Sequence, residues 1–567
     1  MNKVLLFAAA CLTSIMMQAA VTPVTWQEIS EPFVGGTPNM AARSFVYGDY
    51  NNDGYLDAFV YGGASASDAT AQLWKNKGNG TWEQVELPFC VITMYLACAT
   101  WIDYNNDGYL DIICTGTSDG VFNSTLVLKN LGPDNEDIFE EDTENFLYGV
   151  NSEGGDYPNM MLLPLDYDND GWMDLLINGL ADGNWDGTHS RMTAIYHNDH
   201  GVFSADKKVQ IGSETFVPIN GGIATTGDIN NDGYVDLLIS GYQDGEGNEN
   251  VTYLYINDQK GGFTQSTAIP FQGAFNGAGL IMDLNNDGYM DIVEYGRDIK
   301  QGWADFSNVF LNNGDGTFTK VAVTGFPGGG GTCSTGDINN DGYLDFAYAG
   351  WPNQVYCYSN GDGTFTAQSY NETMIGIMSA RSGSINLVDL NGDNVLDAEQ
   401  GGYSNALNDF CGGLLRNTNT TNAAPSAPTN LQVVENEGKV TLTWNAVTDD
   451  DKTPAVAMRY NVYAKTADGK ICCLTPTDPA TGKQRVAGSV PYYLNTTSYT
   501  FNANDFIEYG VQAIDGCFAP SAFTTIVTAV DDVRSGAQSN ISKYIENGQL
   551  YIMREGNRYT VIGQKAQ

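Results

Sequence analysis

The feature that most constrains this chain is a nine-residue pattern, D-x-[ND]-x-D-[GN]-x-x-D, which occurs seven times. The copies run Asp49–Asp57, Asp103–Asp111, Asp166–Asp174, Asp228–Asp236, Asp283–Asp291, Asp337–Asp345 and Asp389–Asp397. Their first aspartates are 54, 63, 62, 55, 54 and 52 residues apart. A period of this size means one supersecondary unit repeated along the chain. A single D-x-N-x-D-G segment is only an Asx turn. Seven copies at one period, with carboxylates always at positions one, five and nine, imply a shared chemistry.

That chemistry is the binding of a hard cation. Oxygens at alternate positions of a tight loop converge on one ion, as in an EF-hand loop. Positions one, five and nine supply Asp49, Asp53 and Asp57; Asp103, Asp107 and Asp111; Asp166, Asp170 and Asp174; Asp228, Asp232 and Asp236; Asp283, Asp287 and Asp291; Asp337, Asp341 and Asp345; and Asp389, Asp393 and Asp397. Position three supplies Asn51, Asn105, Asp168, Asn230, Asn285, Asn339 and Asn391. Position seven offers the carbonyls of Tyr55, Tyr109, Trp172, Tyr234, Tyr289, Tyr343 and Val395. Position six is glycine in six copies and Asn394 in the last, the residue that best tolerates positive φ after glycine. No flanking helix pattern follows. Asp111, Asp174 and Asp236 run into short apolar segments that read as buried strands, so the loop joins strand to strand.

The repeat resembles the FG-GAP/VCBS repeat of integrin α-subunit propellers and of many bacterial secreted proteins, over about residues 22–417. The resemblance implies an all-β chain whose seven copies form a seven-bladed β-propeller. It also implies calcium, up to seven ions, in the loop between the first and second strands of each blade. Each repeat reads as four strands, as in Ser44–Tyr47, Ala58–Tyr61, Ala71–Lys75 and Thr81–Val85. The seventh repeat runs out near Asn417, while Thr25-Trp26-Gln27-Glu28 echoes Thr81-Trp82-Glu83-Gln84. The N-terminal segment is therefore expected to supply the missing outer strand and remove an exposed edge.

Met1–Ala20 reads as a signal peptide: Lys3, an apolar run from Val4 to Met17, then Ala19-Ala20. A lipoprotein at Cys11 is the poorer reading, since Ala8-Ala9-Ala10 is a weak approach and the apolar core would be short. The propeller then spans 21–417 and a linker 418–428, where Asn and Thr give way to Pro425 and Pro428. Residues 429–530 change to alternating β pattern without aspartate loops, resembling an immunoglobulin-like sandwich of the fibronectin type III kind. Trp444 is its expected core tryptophan, and Tyr509 stands where a tyrosine corner is expected. Residues 531–567 form a tail, a short β-hairpin or a sorting segment for surface export. No other stretch is apolar enough to span a bilayer.

The chain of 567 residues has 68 acidic and 26 basic residues, a net charge of −42. Six loops with three aspartates and one with four hold 22 of those acids. So negative a surface excludes nucleic acid, whose phosphates need Lys and Arg. Ten cysteines, one of them in the leader, show no zinc-type C-x-x-C pair. Most read as buried apolar residues, with room for a bridge or two.

Catalytic signals are sparse. His197 and His200 have a metal-like spacing but align with the hairpin Lys75–Gly78, and no third ligand is evident. Glu294 and the Glu399-Gln400 pair stand where other repeats carry apolar strand residues; a carboxylate pair near a central channel suits acid–base chemistry, while a solvated position is the simpler reading. By the resemblance, ligands engage the face opposite the aspartate loops, here Tyr95, Tyr157, Trp185, Arg191, Tyr242, Arg297, Trp303, Trp351 and Arg381. Aromatic rings with arginines suit sugar stacking and carboxylate pairing. The expected protein is a monomeric, secreted or cell-surface bacterial module that binds a glycan or an extracellular protein. The alternative is a polysaccharide-active lyase or hydrolase on the same scaffold.

Overall fold

The computed structural model describes residues 23–528 and 541–560, except for short gaps, the longest being 35–42, 119–122, 152–160, 183–188, 244–248, 370–378, 405–408 and 488–491. The expected signal peptide and the ends of the tail lie outside the described residues. The described elements are β-strands and one 3-10 turn.

Each aspartate repeat builds one sheet of four or five strands, antiparallel except where Phe33–Val34 joins the first sheet parallel to Trp82–Val85. In the first, Arg43–Gly48 pairs with Asp57–Gly62, which pairs with Thr70–Asn76 and then Trp82–Val85. The aspartate loop is the turn from first to second strand. The second strand is the most buried: Ala58, Phe59, Val60 and Tyr61 are each fully inaccessible. That explains its unbroken apolar sequence, since a strand covered on both faces has no polar side. First strands of successive sheets lie side by side through all seven repeats, and the seventh (Ser379–Val388) also lies beside the first (Arg43–Gly48).

The N-terminal strand Trp26–Glu28 pairs antiparallel with Asp409–Asn417, matching Trp26 to Asn417 and Glu28 to Leu415. It is the fourth strand of the seventh sheet, as the Thr25-Trp26 echo predicts. Trp26 stacks on Tyr356 at 4.7 Å, and the main-chain NH of Val24 donates to the Tyr358 hydroxyl at 3.2 Å. Deleting such a buried ring costs about 3–5 kcal/mol.

Residues 429–527 form two facing sheets. One holds Thr429–Asn436, Lys439–Asn445 and Ser498–Asn502; the other Ile471–Cys473, Arg459–Thr466, Phe506–Ile514 and Thr524–Val527. Trp444 is buried edge-on to Tyr460 at 5.4 Å, and Tyr509 packs between Phe501 and Phe506.

This sandwich is not a separate module on a spacer. The described residues up to Ile526 form one compact unit, and a single apolar cluster joins Leu163, Val235 and Tyr255 of the repeats to Leu442, Tyr460 and Tyr499 of the sandwich. Segment 418–428, expected as a linker, is fastened at several points: Thr418 NH donates to Thr25 O at 3.0 Å, and Asn422 Nδ2 donates to Asn394 O at 3.1 Å and Asp515 Oδ2 at 2.7 Å. The tail, described by itself, is a three-stranded meander of Ile541–Glu546, Gln549–Arg554 and Asn557–Thr560. Cys98, Cys357, Cys472 and Cys517 are buried free thiols, so the bridges that the cysteine count allows do not involve them. No helix of the described residues is long and apolar enough to cross a membrane.

Candidate cation loops and candidate ligand face

The nine-residue pattern folds alike in every copy. In the first loop Asp49 accepts the NH of Asp53 on Oδ1 at 3.0 Å and that of Gly54 on Oδ2 at 2.8 Å. Asp53 accepts the NH of Tyr55 at 3.1 Å, and Asp57 that of Asn76, at the end of the third strand, at 2.8 Å. The turn needs left-handed backbone at position six, met by Gly54 at φ 84° and in the last copy by Asn394 at φ 65°. It needs it also at position four, met by asparagine in six copies (Asn52 at φ 58°) and by Gly392 in the last.

Position-nine aspartates are fully buried in all seven loops, Asp57, Asp111 and Asp174 among them. A buried carboxylate is costly unless a cation or hydrogen bonds compensate it. Among the described residues, Lys75 is the only lysine or arginine that makes an ion pair with a loop carboxylate, to Asp53 Oδ2 at 3.1 Å. Burial, reinforced by Asp53 and Asp49, pushes Asp57 up to about 9. Burial likewise holds Asp103 and Asp228 at about 7 and Asp291 at about 8, each with its loop's position-one or position-five neighbours adding to the shift. Buried carboxylates gathered in one short loop, with a single direct ion pair to a lysine or arginine among the described residues, are a donor set that fits a divalent cation.

The third loop is different. Among the described residues, sets of three or more histidine, cysteine or acidic ligand atoms within 4.8 Å of one another occur there alone: Asp166–Asp168–Asp174 and Asp168–Asp170–His197. The sequence reading set His197 aside as part of a hairpin with no third ligand. The structure places the ring beside the loop carboxylates, with Nδ1 3.1 Å from Asp174 Oδ1 and 3.8 Å from Asp168 Oδ2. The signal was the alignment of His197 with Lys75, whose side chain also turns into its loop.

Sequence reasoning missed a second role of the loops. The position-four asparagine bonds the next loop: Asn52 Nδ2 to Gly108 O, Asn106 to Gly171, Asn169 to Gly233, Asn231 to Gly288 and Asn286 to Gly342, at 2.7–3.0 Å. Asn340 donates instead to Thr421 O, and the adjacent Asn422 donates to Asn394 O. The last acceptor, Gly54 O, takes Lys483 Nζ of the sandwich at 3.0 Å. Every position-six carbonyl thus has a donor. The sandwich adds main-chain bonds to the loops: Asp49 NH to Arg485 O and Asp337 NH to Gly516 O at 2.8 Å, and Asn502 NH to Asn169 O at 2.8 Å. At the seam of the seventh and first loops a cavity of about 110 Å³ is lined by Tyr55, Asp389, Gly392, Lys483, Tyr493 and Phe518.

At the other ends of the strands, four of the nine residues expected on the ligand face lie in the neighbouring third, fourth and fifth sheets. The Arg191 guanidinium lies 4.7 Å over the Tyr242 ring; Tyr242 meets Phe275 edge-on at 6.1 Å, and Phe275 meets Trp303 at 5.1 Å. Arg297 Nε donates to Asp305 at 3.1 Å. Phe275, which the sequence reading did not single out, is the ring that joins the others. Trp303 is 51 % exposed and sits at φ 68°. Such a backbone costs a bulky residue on the order of 1–3 kcal/mol. Tyr95 stands apart, half-buried at the start of a first strand opposite Thr117. Tyr157, Trp185 and Trp351 lie outside the described residues, and of Arg381 only the strand is described.

The buried acids are spoken for. Glu294 is inaccessible and accepts the NH groups of Gln272 and Gly273 and the amide of Asn308. Glu399 is also inaccessible, pushed up to about 7 by burial, and accepts from Ser384 and Asn386. Gln400 accepts from the Tyr356 hydroxyl at 3.2 Å.

Among solved structures, the chain is similar to an Agrocybe aegerita lectin recognising non-reducing terminal N-acetylglucosamine (18 % identity, 59 % of this chain and 81 % of that one, TM-score 0.39). It is also similar to a fungal alcohol oxidase of the AA5 family in complex with copper (12 %, 89 % and 99 %, TM-score 0.45) and to the Aleuria aurantia lectin (9 %, 57 % and 96 %, TM-score 0.31). No curated protein matches the chain significantly. The FG-GAP-like repeat model matches residues 49–114, 166–239, 228–294, 302–348 and 337–398, together just over half of the chain and all seven aspartate loops in full. With that coverage, and with one sheet built on each copy of the pattern, the chain belongs to the FG-GAP-like repeat family.

Proposed function

We propose that this protein is a secreted or surface-exposed glycan-binding module. In this reading residues 23–417 close as a seven-bladed β-propeller, a fibronectin type III-like sandwich covers the loop face, and calcium in the loops is structural. The observation that carries it is the cluster Arg191–Tyr242–Phe275–Trp303, which ends in an exposed indole held in left-handed backbone. Sugar rings stack their C–H faces on such aromatic surfaces. The polysaccharide-cleaving alternative rests on Glu294 and Glu399, and both are inaccessible with their oxygens engaged.

The test is a panel of neutral and acidic polysaccharides assayed for retention and for cleavage, with Trp303→Ala and Tyr242→Ala beside the parent chain. Retention without cleavage, lost in both variants, is expected. Cleavage by the parent chain would replace this reading with the enzymatic one. Retention unchanged in both variants would move the site elsewhere.

A further inference from the structure

We propose that the third loop is a mixed nitrogen–oxygen site that takes a borderline divalent metal of zinc's class in preference to calcium. The proposal rests on the reading that the aspartate loops hold cations, and it sets one loop apart from the other six.

Two independent departures from the repeat meet at this loop. Position three is asparagine in the other six copies and Asp168 here. The residue before the end of the third strand is Lys75, Lys129, His197, Ile256, Leu311, Tyr358 and Arg416 in the seven repeats, so one of them carries an imidazole. Its ring lies against the loop: Nδ1 is 3.1 Å from Asp174 Oδ1, the oxygen that also accepts the Asn198 NH at 2.7 Å. In the first repeat the same position brings an ammonium to the carboxylate of Asp53. Here it brings a nitrogen donor within 4.8 Å of carboxylate oxygens from both Asp168 and Asp170. Asp168 Oδ1 is buried with no hydrogen-bond partner.

The backbone of the loop is held independently of these side chains. Asn504 Nδ2 donates to Asp170 O at 3.1 Å, and Asn502 NH donates to Asn169 O at 2.8 Å. The side chains are left to converge on a metal with little rearrangement. Calcium takes oxygen ligands, whereas imidazole with carboxylates suits zinc and its neighbours. Asp168 and His197 are both partly exposed, which leaves a path for entry and a position for water.

The test uses the full chain, stripped with chelator and then held in about 1 mM calcium, enough to load extracellular-type calcium sites. Zinc chloride is titrated calorimetrically, and cobalt(II) serves as the spectroscopic probe. Asp168→Asn and His197→Lys each install a residue that another repeat carries at that position, so both variants keep the repeat's own design. One zinc per chain, and a cobalt visible band, are expected. Each variant should weaken zinc binding by roughly tenfold or more while His200→Ala does not. Zinc binding unchanged in both variants, or one zinc for every loop, would overturn the proposal. If calcium has no effect on the melting temperature but one zinc still binds through His197, the general calcium reading fails and this one stands. If calcium stabilises the chain and zinc does not bind, the reverse holds.

Discussion

The two ends of the same strands differ in kind. On the loop face one nine-residue pattern recurs seven times, tied loop to loop through asparagine amides and roofed by the sandwich. On the other face the connections vary in length and sequence, and an indole is held outward at a backbone cost. The lesson is a division of labour. Where position-one and position-nine carboxylates satisfy main-chain NH groups, residue identity is dictated by the backbone. Where strands simply end, side chains are free to meet a ligand.

The largest test of that division is removal of cations. Sites with dissociation constants near 10⁻⁴ M, at about 1 mM calcium, contribute about 1.4 kcal/mol each. Chelation should lower Tm by ten degrees or so, and calcium should restore it. Equal melting curves would break the comparison. The pH dependence sharpens it. In chelated protein Asp283 sits at about 6, Asp103 and Asp228 at about 7 and Asp57 at about 9, raised first by burial. These groups ionise near 3.9 when unfolded. Their stabilising contribution is therefore complete below about pH 4 and is lost as pH rises through 6 to 9. Calcium binds the ionised form, so the loaded protein should lack this decline.

Next in size, Asp49→Ala removes the acceptor for the Asp53 and Gly54 NH groups as well as a cation ligand, and should cost about 2–4 kcal/mol in a denaturant titration. Asn169→Ala removes amide bonds to Gly233 O and Thr500 O, with an expected cost of about 1–3 kcal/mol that does not depend on calcium. The smallest effect on stability lies on the other face. Trp303→Gly relieves the left-handed backbone while losing the Phe275 contact, so Tm should move by no more than a degree or two while glycan retention disappears. A large drop in Tm would make Trp303 a packing residue.

The repeat fold is legible because its cause is local. Glycine at position six, aspartates at alternate positions and an apolar run afterwards specify loop and strand without reference to anything distant. Even the pairing of Trp26 with Asn417, 391 residues apart, shows in the echo of one outer strand by another. What escaped was carried by relations between repeats. Asn52 reads as a turn residue, and its bond to Gly108 appears only when the two loops lie side by side. His197 reads as half of a short histidine pair because its partners lie 23 to 29 residues back. The docking of the sandwich has no pattern of its own, since Lys483 and Arg485 look like solvated charges until Gly54 and Gly108 are beneath them.

The closing of the loop face by Asn422 and Lys483 bears on biogenesis. The strand at Trp26 has no partner until residue 417 exists, and the carbonyl of Gly54 has none until residue 483 does. At synthesis rates of about 5–20 residues per second, the first interval is roughly 20–80 seconds. The N-terminal strand therefore stays unpaired for most of translation, so a chain cut short before residue 483 should be a preferred substrate for chaperones and proteases.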